Sequence, residues 1–405
     1  MPVELSTPQF QADIHKDPSL RSLSKLRVAL VHYWLIGRSG GEKVLESLAE
    51  LFPQADIFTL VLDRSVLGPS LRGRQIYTSM LQKIPGVTRF HRHSLFLQPF
   101  ALENFDLSGY DLVISSESGP AKGVLTSPST CHICYCHSPM RYIWDMSAAY
   151  RKGMGPVVGS IFNLSAHYMR LWDLASASRV DHFVANSRFV AERIRKFYRR
   201  ESTVIHPPVE IPAAEPNETH DDYYLMVGRL VSYKRVDLAI EACNRLQRRL
   251  RIVGEGPEYR KLKRIAGPTI QFLGAASDSD LQEQYRECRA FLLPGEEDFG
   301  IAPLEAQGYG RAVIAYGSGG ALETVRGIRQ RGPIPENPTG VFFEEQSVDG
   351  MMAGILRYEA IEDRFVPQLI RKHSLTFDKS HFDQKMADFV SLAMEPSARE
   401  ASCAD

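Results

Sequence analysis

Glu297–Glu305 reads EDFGIAPLE, and the fold turns on how that stretch is read. An apolar run, Ala290–Leu293, precedes it and stops at Pro294. Pro303–Gln307 follows with helix-forming residues, and Gly308 and Gly310 close it. The segment therefore predicts a strand, a loop and a helix start, in that order. The first N–H groups of a helix lack helical acceptors, and they sit at its positive dipole end, so together they suit a phosphate. Gly300 has no Cβ, which lets a ligand approach the backbone. Glu297 falls in the loop and Glu305 a turn or more into the helix, where both can border one cleft and accept hydrogen bonds from sugar hydroxyls. The competing reading is a surface loop with two solvated acids. The flanking order of strand, glycine and helix weighs against it.

The same logic recurs upstream. Tyr223–Gly228 (YYLMVG) reads as a buried strand, Arg229 follows at once, Lys234 comes five residues later, and Val236–Leu250 has helical spacing. Two cations at a strand–helix junction suit a diphosphate, with arginine gripping as a fork and lysine adding a compact charge. A solvated basic surface is the alternative for such a pair taken alone.

Working outward, strands alternate with helices along most of the chain. The first half predicts strands at Leu26–His32, Asp56–Leu62, Asp111–Ser115, Thr130–Tyr135, Asp181–Ala185 and Thr203–Ile205. Helices are expected at Glu42–Leu51, after the glycine-rich IGRSGGEKVLESL, and at Phe189–Tyr198. Residues 1–25 read as a loose tail, 26–207 as one domain, 208–222 (Pro-rich and acidic) as a linker, and 223–375 as a second domain. Alternation of this kind means parallel, doubly wound α/β sheets, which bind ligands beyond the carboxyl ends of their strands.

These residues carry a resemblance. Gly228–Ala242 (GRLVSYKRVDLAIEA), Arg251–Lys263 (RIVGEGPEYRKLK) and Phe272–Val325, which contains the Glu–seven-residue–Glu signature, resemble the donor-binding half of the family 4 retaining glycosyltransferases. Gly40–Val61, Cys136–Asp145 (CHSPMRYIWD), Val184–Tyr198 and Val204–Glu210 look most similar to mannosyltransferases of bacterial O-antigen and exopolysaccharide assembly. The resemblance implies the GT-B fold, two Rossmann-like domains facing across a cleft, with a C-terminal helix near 381–394 returning to the first domain. It implies an enzyme, a hexosyltransferase moving a sugar from a nucleotide diphosphate to a glycan hydroxyl, with GDP-mannose preferred as donor. The implied catalytic residues are His137, Glu297, Arg229 and Lys234. The implied donor contacts are Gly41, Arg229, Lys234, Glu297, Phe299, Gly300, Ile301 and Glu305. Arg141, Tyr142, Trp144 and Asp145 are candidates for the acceptor side, with packing as their alternative role.

Composition bounds the rest. The 405 residues carry a formal net charge of zero, which gives no support to nucleic-acid binding. No apolar run reaches the length of a membrane span, and no secretory signal is read at the start, so a cytoplasmic protein is expected. Cys131, Cys134 and Cys136 with His132 and His137 look superficially like a metal knuckle, but no second cluster completes a tetrahedral set. A buried strand is the preferred reading, with no zinc and no disulfide. With Arg229 and Lys234 available to neutralise a diphosphate, no metal or other cofactor is expected. Asp278–Asp280 reads as a cap before a helix at Leu281–Cys288.

Leu71–Phe100 contains no acid but holds Arg72, Arg74, Lys83, Arg89 and Arg92 among aromatic and aliphatic residues. That composition suggests peripheral attachment to an anionic inner membrane face and a lipid-diphosphate-linked acceptor; a solvated loop with core anchors is the alternative. A UDP-sugar donor, a nucleotide-sugar epimerase and a non-catalytic nucleotide-sugar-binding subunit are the rival functions.

Overall fold

The computed structural model describes residues 23–395, apart from 153 and 214. Most of the expected tail therefore lies outside the described residues. The chain forms two compact units, one running to His206 and resuming at Phe382, the other spanning Pro207–His381.

The first unit holds a seven-stranded parallel sheet: β1 (Val28–His32), β2 (Asp56–Thr59), β3 (Ile76–Thr78), β4 (Leu112–Glu117), β5 (Cys131–Cys136), β6 (His182–Ala185) and β7 (Thr203–Val204). Their spatial order is β3-β2-β1-β4-β5-β6-β7. The second unit repeats the plan with β8 (Tyr224–Val227), β9 (Leu250–Val253), β10 (Ile270–Gly274), β11 (Ala290–Leu293), β12 (Ala312–Tyr316), β13 (Gly327–Ile328) and β14 (Gly340–Phe343), in the order β10-β9-β8-β11-β12-β14-β13. Central strands are buried along their whole length, as in VALVH of β1 and AFLL of β11. A sheet covered on both faces produces that unbroken apolar run.

Each sheet reverses its winding direction after its third strand. From β1 the chain winds outward through β2 and β3, then returns to add β4 on the other side. The second sheet does the same between β8 and β11. These are topological switch points, where diverging connections leave a crevice beyond the strand ends.

Helices cover the faces. Those used below are α1 (Gly40–Leu51), α2 (Pro156–Ala177), α3 (Arg188–Tyr198), α4 (Val236–Leu246), α5 (Ile301–Gly308) and α6 (Lys379–Ala393). Phe382, Met386 and Val390 of α6 are buried in the core of the first unit with Tyr135. Segment 207–222 packs as part of the second unit: Arg371 bonds the Pro212 carbonyl, and Arg311 donates to the Thr219 carbonyl at 2.8 Å.

Two of the boundaries that differ from expectation have a clear local cause. Val236–Leu250 does not continue as a helix, because Gln247 adopts φ 53° and ends α4, and Leu250 opens β9. At 278–280, Ser277 rather than an aspartate is the cap; its hydroxyl accepts from the Asp280 amide, and Asp278 and Asp280 form the first helical turn. The acids still complement the dipole there.

Candidate active site

In the first unit, β1 and β4 run side by side and His32 is the register partner of Ser116. Partners in register point to the same face of a sheet. His32 Nδ1 lies 3.1 Å from Ser116 Oγ, and that oxygen lies 2.9 Å from His137 Nε2. His137 follows β5 directly, and its amide donates to the Glu117 carbonyl at 2.7 Å. On the far side, His32 Nε2 stands 3.8 Å from Glu42 Oε1, an electrostatic contact rather than a hydrogen bond. The result is a chain from Glu42 through His32 and Ser116 to His137.

The chain has a preferred polarity. The Glu42 carboxylate can only accept, so it favours the proton on His32 Nε2. His32 Nδ1 then accepts from the Ser116 hydroxyl, whose oxygen accepts from His137 Nε2–H. His137 is left with Nδ1 as a bare acceptor. Burial pushes the His137 pKa down to about 3, His32 adds to the fall, and Glu42 opposes it. Burial also acts to raise the Glu42 carboxyl, but the interaction with His32 and the hydrogen bonds from Ser39 outweigh it and hold Glu42 low.

Glu42 has a second task. The Ser39 amide donates to its Oε2 at 3.0 Å, completing a capping box at the start of α1. The same helix start brings Gly41 close: a Cβ there would lie 2.9 Å from the Tyr33 hydroxyl and 3.6 Å from His137 Nε2. Gly41 and His137, read separately in the sequence, are thus brought together.

The segment after His137 is anchored from beneath. Trp144 Nε1 donates to Asp173 Oδ2 at 2.7 Å and stacks on Phe197. Asp173 is buried with Lys122 and Glu117; Lys122 Nζ bonds Asp173 and lies 3.0 Å from Glu117 Oε1. Burial and the Asp173 carboxylate push Glu117 upward against the pull of Lys122. Asp145 is exposed but held by Arg193 at 2.7 Å. Tyr142 bonds Met140, and Arg141 contacts Met146. All four acceptor-side candidates thus have partners within this unit.

In the second unit, the ends of β8, β11 and β12 are neighbours. Lys234 ends a short turn after β8, and its Nζ donates to Glu297 Oε1 at 2.6 Å across the switch point. Gly228 takes φ 148°, and a Cβ there would lie 3.4 Å from that ammonium. Arg229 is exposed and forms no ion pair within the described residues. Gly300, at φ 96°, precedes α5, so the amides of Ile301 and its neighbours open the helix toward the loop. Glu305 lies one turn in and accepts from Tyr285 at 2.8 Å. Burial first, then the Glu305 charge, raise the Tyr285 hydroxyl far above its ordinary value, so it remains a donor. Phe299 points inward, packed with Leu304 and Phe377.

Sequence reasoning missed several of these residues. His32 ends one expected strand and Ser116 falls just past the end of another, 84 residues apart, and nothing local links them. Glu42 read as the first residue of a helix. The loop Gly317–Gly320 (GSGG) was a visible signal: the Gly320 amide donates to the Glu297 carbonyl at 2.8 Å, and Ser318 donates to Glu296. A Cβ on Gly320 would meet Phe299 Cα at 2.4 Å. Among the described residues, no cluster of three His, Cys, Asp or Glu has metal-binding geometry.

Two family models match in tandem: "Glycosyltransferase Family 4" over residues 38–211 and "Glycosyl transferases group 1" over residues 209–366. An alpha-1,3/1,6-mannosyltransferase of Kluyveromyces lactis is 24% identical, covering 74% of this chain and 71% of its own length. A GDP-mannose-dependent alpha-(1-6)-phosphatidylinositol monomannoside mannosyltransferase of Mycobacterium tuberculosis is 30% identical over 35% of this chain, a match that spans 39% of that protein. Among solved structures, HepE of Anabaena, crystallised with UDP and glucose, superposes with a TM-score of 0.65 at 14% identity, over 90% of this chain and 99% of that one. The chain belongs to the family 4, group 1 glycosyltransferases, hexosyltransferases of the GT-B fold.

Proposed function

We propose that this glycosyltransferase moves mannose from GDP-mannose to a hydroxyl of a lipid-linked or polysaccharide-precursor glycan, retaining configuration and needing no metal. The observation that carries the reading is the Lys234–Glu297 pair at the second switch point, beside the start of α5. Two mannosyltransferases among the sequence relatives favour the sugar.

In this reading Arg229, Lys234 and the amides near Gly300 and Ile301 receive the leaving diphosphate. Preorganised donors of this kind are worth about 3 kcal/mol each when aimed at developing charge. Lys234 has three donors, so it can hold a phosphate oxygen without releasing Glu297. Glu297 takes hydroxyls of the transferred sugar, and Glu305, steadied by Tyr285, takes the ribose. The bond from the anomeric carbon to the diphosphate oxygen breaks as the bond to the acceptor oxygen forms on the same face. The acceptor proton passes to the departing phosphate oxygen. His137, neutral and presenting Nδ1, accepts a hydrogen bond from a sugar hydroxyl near the reacting carbon.

The test is product analysis. With GDP-mannose, EDTA and a short-chain lipid diphosphate glycan as acceptor, we expect a mannosylated product with an α linkage by NMR, matching the donor. Inverted product refutes the same-face mechanism. Transfer from a UDP-sugar alone moves the donor assignment, and release of GDP and an epimerised sugar without acceptor supports the epimerase instead.

A further inference from the structure

Helix α2 is apolar on both faces. Its inner face places Ala166, Met169 and Trp172 in the core. Its outer face presents Val157, Ile161, Leu164, Tyr168 and Leu171, with Leu164 73% and Val157 71% exposed. That spacing is a single stripe along a helix, and on a water-facing surface such a stripe is normally charged. The two charged residues of α2 are both turned away: Arg170 donates to the Ile143 carbonyl at 2.7 Å, and Asp173 is buried against Lys122. The stripe also continues onto a neighbouring segment. Phe96 packs on Tyr168 with ring centroids 4.6 Å apart, and Leu97 and Phe100 beside it are exposed.

We propose that the outer face of α2, with Phe96–Phe100, is a docking surface that seats the first unit in the headgroup–acyl boundary of an anionic bilayer. The inference rests on the proposed lipid-borne acceptor for its purpose; its evidence is the surface itself.

Charge selects the occupant. Residues 71–102 and 146–172 contain no acid at all. The carboxylates at their borders are occupied: Glu103 by Arg179, Asp145 by Arg193 and Asp173 by Lys122. Lys83, Arg89, Arg151 and Lys152 are exposed in the same segments. A second copy meeting this face symmetrically would set cation against cation. An anionic bilayer complements both the apolar stripe and the basic flanks. Arg74, by contrast, is spent on carbonyls at the end of α1, including Pro53 O at 2.9 Å, and is not part of the surface. The helix lies on the bilayer rather than crossing it: its inner face is packed in the core, and no helix among the described residues is long and apolar enough to span.

The test is flotation of the full chain with substrate-free vesicles, of phosphatidylcholine alone or mixed equally with phosphatidylglycerol. We expect wild type to float with the anionic vesicles. The triple variant Ile161→Ser, Leu164→Ser, Leu171→Ser should lose about tenfold or more in partitioning. Donor affinity by calorimetry should be unchanged in that variant, which separates this surface from the sugar chemistry. The inference is overturned if wild type stays unbound, if it floats equally with neutral vesicles, or if the triple variant floats like wild type. A lipid-free dimer that the same substitutions dissociate would overturn it too, and would assign the face to a second copy.

Discussion

Replacing Ser116 by alanine probes the chain behind His137 with little change in shape. The substitution removes one oxygen and leaves β4 packed. It breaks two contacts, at 2.9 Å to His137 and 3.1 Å to His32, both in a buried setting. Leaving buried ring nitrogens without partners costs about 1–3 kcal/mol. Stability should therefore fall by that amount in urea titration. The chemical step should suffer separately, because His137 is no longer held to one tautomer. We expect kcat to drop about tenfold to a hundredfold, with the KM for donor nearly unchanged. The neighbouring residue supplies a control. Ser115 lies on the opposite face of β4, and its Oγ sits 2.9 Å from His132 Nε2. Ser115→Ala loses a chemically similar contact and should destabilise to a similar degree, with kcat intact. The 15N shifts of His137 should show a protonated Nε2 in wild type and mixed tautomers in Ser116→Ala. Equal kcat in the two alanine variants would refute the reasoning.

Three further outcomes follow from the geometry. Lys234→Ala should weaken donor binding about a hundredfold by calorimetry, since it removes the ammonium from Glu297 and, in the proposed reaction, from the diphosphate; unchanged binding would refute a donor-site role for Lys234. Lys122→Met leaves Glu117 and Asp173 as facing buried carboxylates. It should cost about 3–5 kcal/mol at neutral pH, and less relative to wild type as the pH falls and a carboxyl takes up a proton. The wild type should be acid-sensitive. Burial lowers His137 to about 3 and His132 and His373 to about 4, so the unfolded chain binds more protons than the folded one below its ordinary histidine pKa. Stability is then full near neutrality and lost as the pH drops from about 6.5 toward 4, and on toward 3 for His137, by about 1.9 kcal/mol per histidine between pH 7 and 5. A flat urea midpoint over that range would contradict these burials.

The fold was legible because its signals are local. Ala290–Leu293 is a strand in both readings, and the helix expected at Pro303–Gln307 begins two residues earlier, at Ile301. Glycines, caps and buried apolar runs leave their marks within a few residues. The meeting of Lys234 and Glu297 was legible for the same reason, since each follows a readable strand. What stayed hidden depends on sheet register. Nothing near His32 reveals that Ser116 is its partner, and nothing near Tyr285 points to Glu305. Helix α2 escaped notice for a different reason. Apolar on both its inner and its outer face, it shows little contrast between them, and periodicity is the main sequence signal for a helix.

The most direct measurement is calorimetric titration of the purified protein, in EDTA, with GDP-mannose and separately with UDP-glucose, UDP-galactose and UDP-N-acetylglucosamine. A ligand that binds only the native state must also raise its melting temperature, which gives an independent readout. We expect GDP-mannose to bind selectively, and Lys234→Ala and Glu305→Ala to weaken that binding about a hundredfold while remaining folded. Selective binding of a UDP-sugar, or binding that neither substitution weakens, would contradict the account.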